Sequence, residues 1–179
     1  DRLTGTQKWI LGNHEGRKFP WNQFLLTPVG DLEWPYHQHA PQVTPQGTLM
    51  LYDNGNFRHS PFDGKTPRNF TRVVEFAIDA QTRSISEVWS WGGPLDELYF
   101  SRAVGDADFL PKTGNVLVTD GFLNTNEVPS RAYIRLLELT HTTPAEKVFE
   151  LIVKDAPEGP VTGWRGYRAE RLTSLYPEQ

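Results

Sequence analysis

Two stretches of the sequence repeat one pattern, and this repeat constrains the fold more than any other feature. Residues 39–55 read HAPQVTPQGTLMLYDNG, and residues 106–121 read DADFLPKTGNVLVTDG. Each begins with a polar residue, passes through a Pro-containing turn to a glycine, and then runs an alternating strand into Asp-Asn-Gly or Thr-Asp-Gly. Alternating runs bounded by turn residues are typical of β-hairpins. We name this pattern hairpin A.

A second pattern, hairpin B, lies between and after the two copies of hairpin A. Residues 72–92 predict a strand, a turn and a strand, and residues 131–153 are a more degenerate copy. Residues 1–12 resemble the last half of the same unit, with Trp9 matching Trp89. One hairpin A followed by one hairpin B gives a four-stranded antiparallel sheet, and repetition of such sheets around an axis describes a β-propeller.

The composition agrees with an all-β fold, because 15 Gly, 14 Pro and 12% aromatic residues indicate many turns and short strands. We predict a β-propeller of four-stranded antiparallel blades, with about three blades and roughly ten or more strands in this chain. A β-sandwich of about a dozen strands is the alternative. Turns or strand ends are expected at Gly12, Gly47, Gly92 and Gly114.

About three blades cannot close a ring, because propellers have about four to eight. We therefore expect uncovered strand edges, and missing N-terminal blades or another chain to complete the ring. The opening residues, Asp1 to Gly5, read as a turn already inside an element, so an N-terminal portion is expected to be missing.

Charge and composition exclude several classes of function. The net charge is −4, and no basic patch indicates a nucleic-acid partner. No apolar run is long enough to span a membrane. The chain has no cysteine, which excludes disulfides, a cysteine nucleophile and thiolate metal ligands within it.

Two of the five histidines, His37 and His39, flank Gln38 just before the first hairpin A. On a regular strand their side chains would share one face, which is a common arrangement of zinc ligands. A metal site needs a third ligand, however, and His14, His59 and His141 are predicted in loops or exposed turns. Three interpretations therefore remain: the two histidines pack as an ordinary pair, they bind a metal, or His39 has a functional role. Because no third ligand is evident, the metal site is the least favoured of the three.

Two further positions, Asp106 and Arg58, are candidates for a polar site. Asp106 takes the place of His39 in the second hairpin A. Both residues could line the mouth of the propeller's central channel, or Asp106 could cap a turn. Arg58 could bind an anion, although a lone arginine is usually solvated. Asp53-Asn54-Gly55 and Asp120-Gly121 are interpreted as turns, because Asn-Gly favours a type I′ turn.

Five motifs in order resemble the bacterial PAPS-independent arylsulfate sulfotransferase family over nearly the whole chain. They are KWILG, QHAP…GTLMLYDNGNFR, VEFAID…SEVWSWG, VGDADFLPKTGNVLVTDG and GYRAERLTSLYP. The resemblance implies that residues 1–179 are the C-terminal part of a single propeller domain of about six blades. It also implies a periplasmic or secreted protein, although no signal peptide is visible.

The resemblance further implies transfer of a sulfuryl group from an aryl sulfate to a phenol through a sulfohistidine, without a cofactor. The family nucleophile follows a Gln and precedes the hairpin, which makes it His39 here. We assign His37, Asp106 and Arg58 to substrate binding. The family's other site residues lie before the KWILG motif, so this chain alone is expected to hold an incomplete active site.

Two other functions remain open from the sequence. One is a non-catalytic propeller that serves as a binding module, and the other is a metal-dependent hydrolase that uses His37 and His39. At the end of the chain, residues 164–176 carry Trp164, Tyr167, Arg168 and Leu175. We predict that this closing segment forms a final strand pair on the last blade, with a disordered tail as the alternative.

Overall fold

The computed structural model describes residues 1–58, 68–94, 99–124, 131–172 and 174. These residues contain one short 3₁₀ helix, Trp21–Phe24, and no α-helix. The strands are Thr27–Pro28 (β1), His39–Val43 (β2), Leu49–Asp53 (β3), Arg72–Asp79 (β4), Ser84–Gly92 (β5), Asp106–Phe109 (β6), Val116–Asn124 (β7), Ala132–Leu139 (β8) and Lys147–Val153 (β9). The chain divides into two compact units, Asp1–Arg102 and Ala103–Gln179.

The first unit contains a five-stranded sheet in the order β1-β5-β4-β3-β2. Strands β2 to β5 form an antiparallel meander, and β1 adds to its edge in parallel with β5. The core consists of Leu26, Leu51, Val74, Phe76 and Ile85, all nearly inaccessible to solvent. In β3 and β4 the residues of this cluster, with Leu49 and Ile78 packed against it, lie at every second position, as the alternation of side chains along a strand requires.

The second unit contains a four-stranded antiparallel sheet in the order β6-β7-β8-β9. Its most buried apolar side chains include Ala107, Val116, Val118, Leu137 and Leu139. Residues 116–123 of β7 are all buried, so this strand is covered on both of its faces. Each unit is thus built around one four-stranded meander.

The all-β prediction and the two hairpin patterns are confirmed. Hairpin A forms β2–β3 and again β6–β7, and hairpin B forms β4–β5 and again β8–β9. The four predicted glycines lie at a bend, in two hairpin turns and at the end of β5. The described residues form two sheets and nine strands, where the sequence predicted about three sheets and at least ten strands. The propeller and its blade number stay predictions.

The prediction for residues 1–12 is wrong, and this accounts for the sheet that was expected but not found. Apart from a single parallel bridge between Ile10 and Leu25, the structure has no strand in this segment. Trp9 and Leu11 pack against the core cluster of the first unit instead. Their apolar alternation is therefore satisfied by docking onto an existing sheet and needs no hairpin partner.

The closing segment packs on the second sheet without forming the predicted strand pair. No strand occurs in residues 164–172. The amide of Trp164 donates to the carbonyl of Ala132 at 2.7 Å, and that of Gly166 donates to Gly121 at 3.0 Å. These isolated hydrogen bonds hold the segment against the sheet, so the prediction of a strand pair is wrong while its contact with the last sheet is confirmed.

Two predicted features, His59 and Leu175, lie outside the described residues. Among the residues that are described, no helix has both the length and the apolar character needed to cross a membrane.

Candidate active site

His39 is the first residue of β2 and lies half-buried where the meander of the first unit ends. It pairs with Tyr52 of β3, and the register shifts between His39 and Gln42. The next residue, Ala40, has a φ of 50°, which breaks the extended backbone. This irregularity directs the start of β2 toward the residues that follow β3, rather than along a regular ladder.

The imidazole of His39 contacts the amide side chain of Asn54. His39 Nδ1 lies 2.6 Å from Asn54 Oδ1. On its other side, Asn54 Nδ2 donates to the carbonyl oxygen of Ser101 at 2.8 Å. Asn54 and Ser101 are completely buried. The histidine is therefore held by a side chain that is itself fixed inside the first unit.

Thr71 braces the same amide from the start of hairpin B. Its hydroxyl donates to the backbone carbonyl of Asn54 at 2.9 Å and accepts from the amide of Ser101 at 2.8 Å. The amide of Thr71 donates to the carbonyl of Tyr99 at 2.9 Å. The segment from Tyr99 to Ser101 is thus tied to the strand end that carries Asn54.

Asp53, the residue before Asn54, is the centre of a buried ion cluster. Its Oδ2 accepts from Arg58 Nη1 and Nη2, both at 3.1 Å, and from Arg72 Nε at 3.0 Å. Its Oδ1 accepts from the amide of Tyr36 at 2.9 Å. Both carboxylate oxygens are satisfied, so a charge that would be costly alone is stable here.

Arg58 is completely buried and does not behave as the solvated side chain that its sequence context suggests. Its guanidinium lies 3.7 Å from the centre of the Phe70 ring and donates to the Phe70 carbonyl at 2.9 Å. Burial lowers the pKa of Arg58, and the carboxylates of Asp53 and Glu33 oppose that shift. Its assignment to substrate binding stays a prediction.

The interpretation of Asp53-Asn54-Gly55 and Asp120-Gly121 as hairpin turns is wrong. The β2–β3 turn is closed by the Gly47 amide, which donates to the Thr44 carbonyl, and Asp53 ends β3. Asp120 lies inside β7 and is also completely buried. The Asn-Gly signal misleads here because Gly55, with φ of 72°, serves a close approach: a Cβ there would collide with the Phe70 carbonyl.

The two sheets repeat one buried cross-strand ion pair, and this pattern is a signal that the sequence reasoning missed. Asp53 faces Arg72 across β3 and β4, and Asp120 faces Arg135 across β7 and β8. In the second pair, Arg135 Nε donates to Asp120 Oδ2 at 2.7 Å. An Asp directly after a buried apolar run, with an Arg in the strand that follows, would have indicated paired charges rather than a turn.

The structure places His37 before β2, in a conformation that does not support the predicted shared face with His39. His37 has a φ of 55° and is exposed, and its ring meets that of Phe57 edge-on at 5.7 Å. A cleft of about 440 Å³ lies beside it, with Arg17 and Tyr36 among its lining residues. Within the described residues, no group of three or more His, Asp or Glu could hold a metal ion.

Asp106 is structurally equivalent to His39 in the second unit. Each is the first residue of its hairpin A, and Asp106 pairs with Thr119 as His39 pairs with Tyr52. Asp106 is 4% exposed, and Arg168 Nε lies 3.6 Å from its Oδ2. Its assignment to substrate binding stays a prediction.

The carboxyl group of Asp106 is expected to make stability depend on pH. Burial, aided by repulsion from Asp108, raises its pKa from 3.8 to about 6, against the attraction of Arg168. The folded state keeps a proton that the unfolded chain has lost, so this contribution to stability falls as pH rises from about 4 to 6. Asp106→Asn should remove that fall. The difference in the free energy of unfolding between the variant and the wild type should therefore change by about 2 kcal/mol between pH 4 and pH 6.

Denaturant unfolding of the full-length protein at pH 4.5 and 7.5 measures this difference. Asp155→Asn is the control, because hydrogen bonds from Gly163 and Thr162 lower the pKa of that exposed carboxylate. The stability that the Asp155 carboxylate contributes is lost as the pH falls below about 4, whereas that of Asp106 is lost as the pH rises. An Asp106→Asn protein whose stability follows the wild-type pH dependence would contradict the buried-carboxyl explanation.

These observations define a class: an all-β protein with a repeated four-stranded antiparallel meander, and with a half-buried histidine held by a buried amide. The sequence model of the arylsulfotransferase (ASST) family matches residues 1–165. The chain belongs to this family.

Two relatives show how similar the chain is to other members in sequence identity and in the length matched. The chain is 24% identical over 167 residues to arylsulfate sulfotransferase AssT of Escherichia coli. It is 23% identical over 167 residues to the protein of the same name from Lelliottia amnigena. In both cases the match covers 84% of this chain and 28% of the relative. The chain therefore spans less than a third of the length of these relatives.

Proposed function

We propose that the complete protein transfers a sulfuryl group from an aryl sulfate ester to a phenol, with His39 as the nucleophile. Family membership supports the reaction class. The observation that carries the residue assignment is the contact of 2.6 Å between His39 Nδ1 and buried Asn54 Oδ1. It fixes one imidazole nitrogen and orients the ring, as a covalent catalyst requires.

The reaction divides into two displacements at sulfur. In the first, an imidazole nitrogen of His39 forms a bond to the sulfur as the bond from sulfur to the aryl oxygen breaks, and the phenolate leaves and takes up a proton. In the second, a phenol oxygen bonds to sulfur as the nitrogen–sulfur bond breaks, and the acceptor loses its proton. The two half-reactions predict ping-pong kinetics.

Charge spreads over the nonbridging oxygens in such loose, in-line transfers, so the site needs donors around the sulfuryl group. The cleft beside His37 offers Arg17 as a cation, together with Tyr36 and Gln38. Asn13 Nδ2 donates to the Tyr36 hydroxyl at 2.9 Å, which fixes the phenol ring at the cleft wall. We assign this cleft to the sulfuryl end of the substrate, where these donors would hold the nonbridging oxygens.

Replacing His37 with alanine is expected to raise KM by about tenfold while kcat changes less, because the side chain lines the binding cleft and takes no part in bond exchange. Steady-state kinetics of the full-length protein with 4-nitrophenyl sulfate and phenol measures both constants. His14→Ala is the control, since His14 Nε2 contacts the Leu26 carbonyl in a loop. A loss of kcat as large as that of a nucleophile variant would contradict a binding role.

For the whole protein, we propose a propeller of about six blades, in which each four-stranded meander is one blade. Family resemblance supports this architecture and export to the periplasm or beyond. The strand order of both meanders is compatible with a blade, because consecutive strands are neighbours in each.

The direct test uses donor without acceptor. Full-length protein is mixed with 4-nitrophenyl sulfate, digested under neutral conditions and analysed by mass spectrometry. An adduct of about 80 Da on the peptide that contains His39 is expected, and phenol should remove it. An adduct on a different residue would reassign the nucleophile. Absence of any adduct, in a protein that still transfers the group, would favour direct transfer between the two substrates.

A further inference from the structure

We propose that Asn54 is a positioning residue that holds His39 in the tautomer protonated at Nδ1, so that Nε2 is the nitrogen that attacks sulfur. The inference rests on the proposed nucleophile and adds which of its two nitrogens reacts and what selects it. Neutral imidazole carries one proton on either nitrogen, and the hydrogen bond made by one nitrogen decides where it sits.

The orientation of the Asn54 amide follows from its other partner. The Ser101 carbonyl oxygen can only accept a hydrogen bond, so the atom 2.8 Å away must be the amide nitrogen of Asn54. A flipped amide would set two acceptors against each other in a site without solvent exposure, which is unfavourable. The oxygen of Asn54 therefore faces His39.

The tautomer follows from that orientation. Asn54 Oδ1 can only accept, and His39 Nδ1 lies 2.6 Å from it. Nδ1 must then carry the proton of the neutral ring, which leaves the lone pair on Nε2. Free imidazole side chains exchange between the two forms, and the wrong form of a catalytic histidine costs orders of magnitude in rate.

The surrounding hydrogen bonds prevent Asn54 from adapting. Thr71 holds the backbone carbonyl of Asn54 at 2.9 Å, and the same hydroxyl accepts from the Ser101 amide at 2.8 Å. Asn54, Thr71 and Ser101 thus form one hydrogen-bond network, and all three residues are buried. A fixed acceptor of this kind selects one tautomer better than water, which both donates and accepts.

The second sheet is an internal comparison that separates fold from function. Asp53 and Asp120 are equivalent through their Arg partners in register, so the residue equivalent to Asn54 is Gly121. The residue equivalent to His39 there is Asp106. Hairpin A therefore forms in the second unit without an asparagine at this position. The asparagine occurs in the copy of the hairpin that carries the histidine.

The experiment reads the tautomer directly and independently of activity. Full-length protein labelled with ¹⁵N-histidine is compared with its His39→Ala variant, which assigns the ring signals by NMR. The wild type is expected to show a protonated Nδ1 and an unprotonated Nε2 for His39 near pH 8. In Asn54→Ala the population should move toward protonated Nε2, and adduct formation should slow by about a hundredfold.

Two further variants separate positioning from a structural role. Asn56→Ala is the matched control, because Asn56, two residues after Asn54, donates in the same way from its Nδ2 to the Arg102 carbonyl at 2.7 Å. It should keep the wild-type tautomer and rate. Asn54→Asp keeps an acceptor for Nδ1 but adds a negative charge that favours imidazolium. The pH of half-maximal adduct formation should therefore rise by about one unit or more.

The outcomes separate this inference from the proposed function. A His39 that stays protonated at Nδ1 in Asn54→Ala overturns the inference, as does an Asn54→Asp profile that coincides with wild type. If Asn54→Ala fails to fold, Asn54→Asp still decides, since loss of packing alone would not move a pH midpoint. An Asn54-dependent tautomer in a protein whose His39→Ala variant remains active would support the positioning while refuting the nucleophile.

Discussion

Replacing His39 with alanine is expected to abolish sulfuryl transfer by the full-length protein, with a loss of several orders of magnitude in rate. The reason is chemical: alanine offers no lone pair for the sulfur, so the covalent intermediate of the first half-reaction cannot form. The adduct of about 80 Da should be missing even after long incubation with donor. Initial rates with 4-nitrophenyl sulfate and phenol, followed at saturating donor, measure the loss.

The fold of the His39→Ala protein should persist, because His39 is half-buried at a strand end and is not part of the apolar core. Circular dichroism and the melting temperature check this point. His14→Ala is again the control for removal of an imidazole elsewhere in the first unit. A transfer rate within about tenfold of the wild-type rate would refute His39 as the nucleophile. It would favour a non-catalytic scaffold role for this part of the chain.

Local sequence patterns predicted the strands well, because the hairpins here are joined by short turns whose chemistry is local. Leu49 to Asp53 alternates its faces, Gly47 marks the turn before it, and β3 and β4 pair as the pattern requires. The likeness of residues 39–55 to residues 106–121 extends to the first cross-strand pair of each hairpin, His39 with Tyr52 and Asp106 with Thr119. Repetition gave this prediction more support than either hairpin alone could.

The same local reasoning failed where a side chain's partner is distant in sequence. Asn54 belongs to a pair with His39, but its orientation depends on the Ser101 carbonyl, and nothing near Asn54 announces that contact. Asp53 looks like a turn residue until Arg58 and Arg72 are brought to it by the folded chain. Propensity describes neighbours along the chain, and these residues are defined by neighbours in space.

The histidine pair shows a second limit of sequence reasoning. The predicted common face of His37 and His39 assumed a regular strand with a period of two. Positive φ values at His37 and Ala40 break that period on both sides of the nucleophile candidate. Backbone irregularities of this kind are common at functional sites. Where the residue is not a glycine, the sequence does not indicate them.

Asp53→Asn is expected to destabilise the folded protein by about 3–5 kcal/mol, because it removes the charge that compensates two buried guanidinium groups. Asp53 Oδ2 receives hydrogen bonds from Arg58 and Arg72, both largely shielded from solvent. Asparagine has the same shape, so packing is unchanged. Its amide group turns one end of the side chain into a donor, which faces either the two arginines or the amide of Tyr36.

Urea unfolding of the full-length protein, with the melting temperature as a second measure, tests this prediction. Asp79→Asn is the matched control: Asp79 accepts from the amides of Gln81 and Thr82 at an exposed turn, and its replacement should destabilise the protein far less than Asp53→Asn. Asp53→Asn and Asp79→Asn proteins of equal stability would show that the ion cluster contributes little.

A double substitution separates the cost of stranded charge from loss of the hydrogen bonds alone. Adding Arg58→Met to Asp53→Asn removes one uncompensated guanidinium, and Arg72 retains Glu87 at 2.9 Å. Part of the lost stability should return, giving a favourable coupling of about 1–3 kcal/mol in a double-mutant cycle. Strictly additive losses would mean that Arg58 stabilises the unit by filling space over Phe70. In that case Asp53 would hold the strand end next to Asn54 through the Tyr36 amide and Arg72, and the histidine site would depend on those contacts instead.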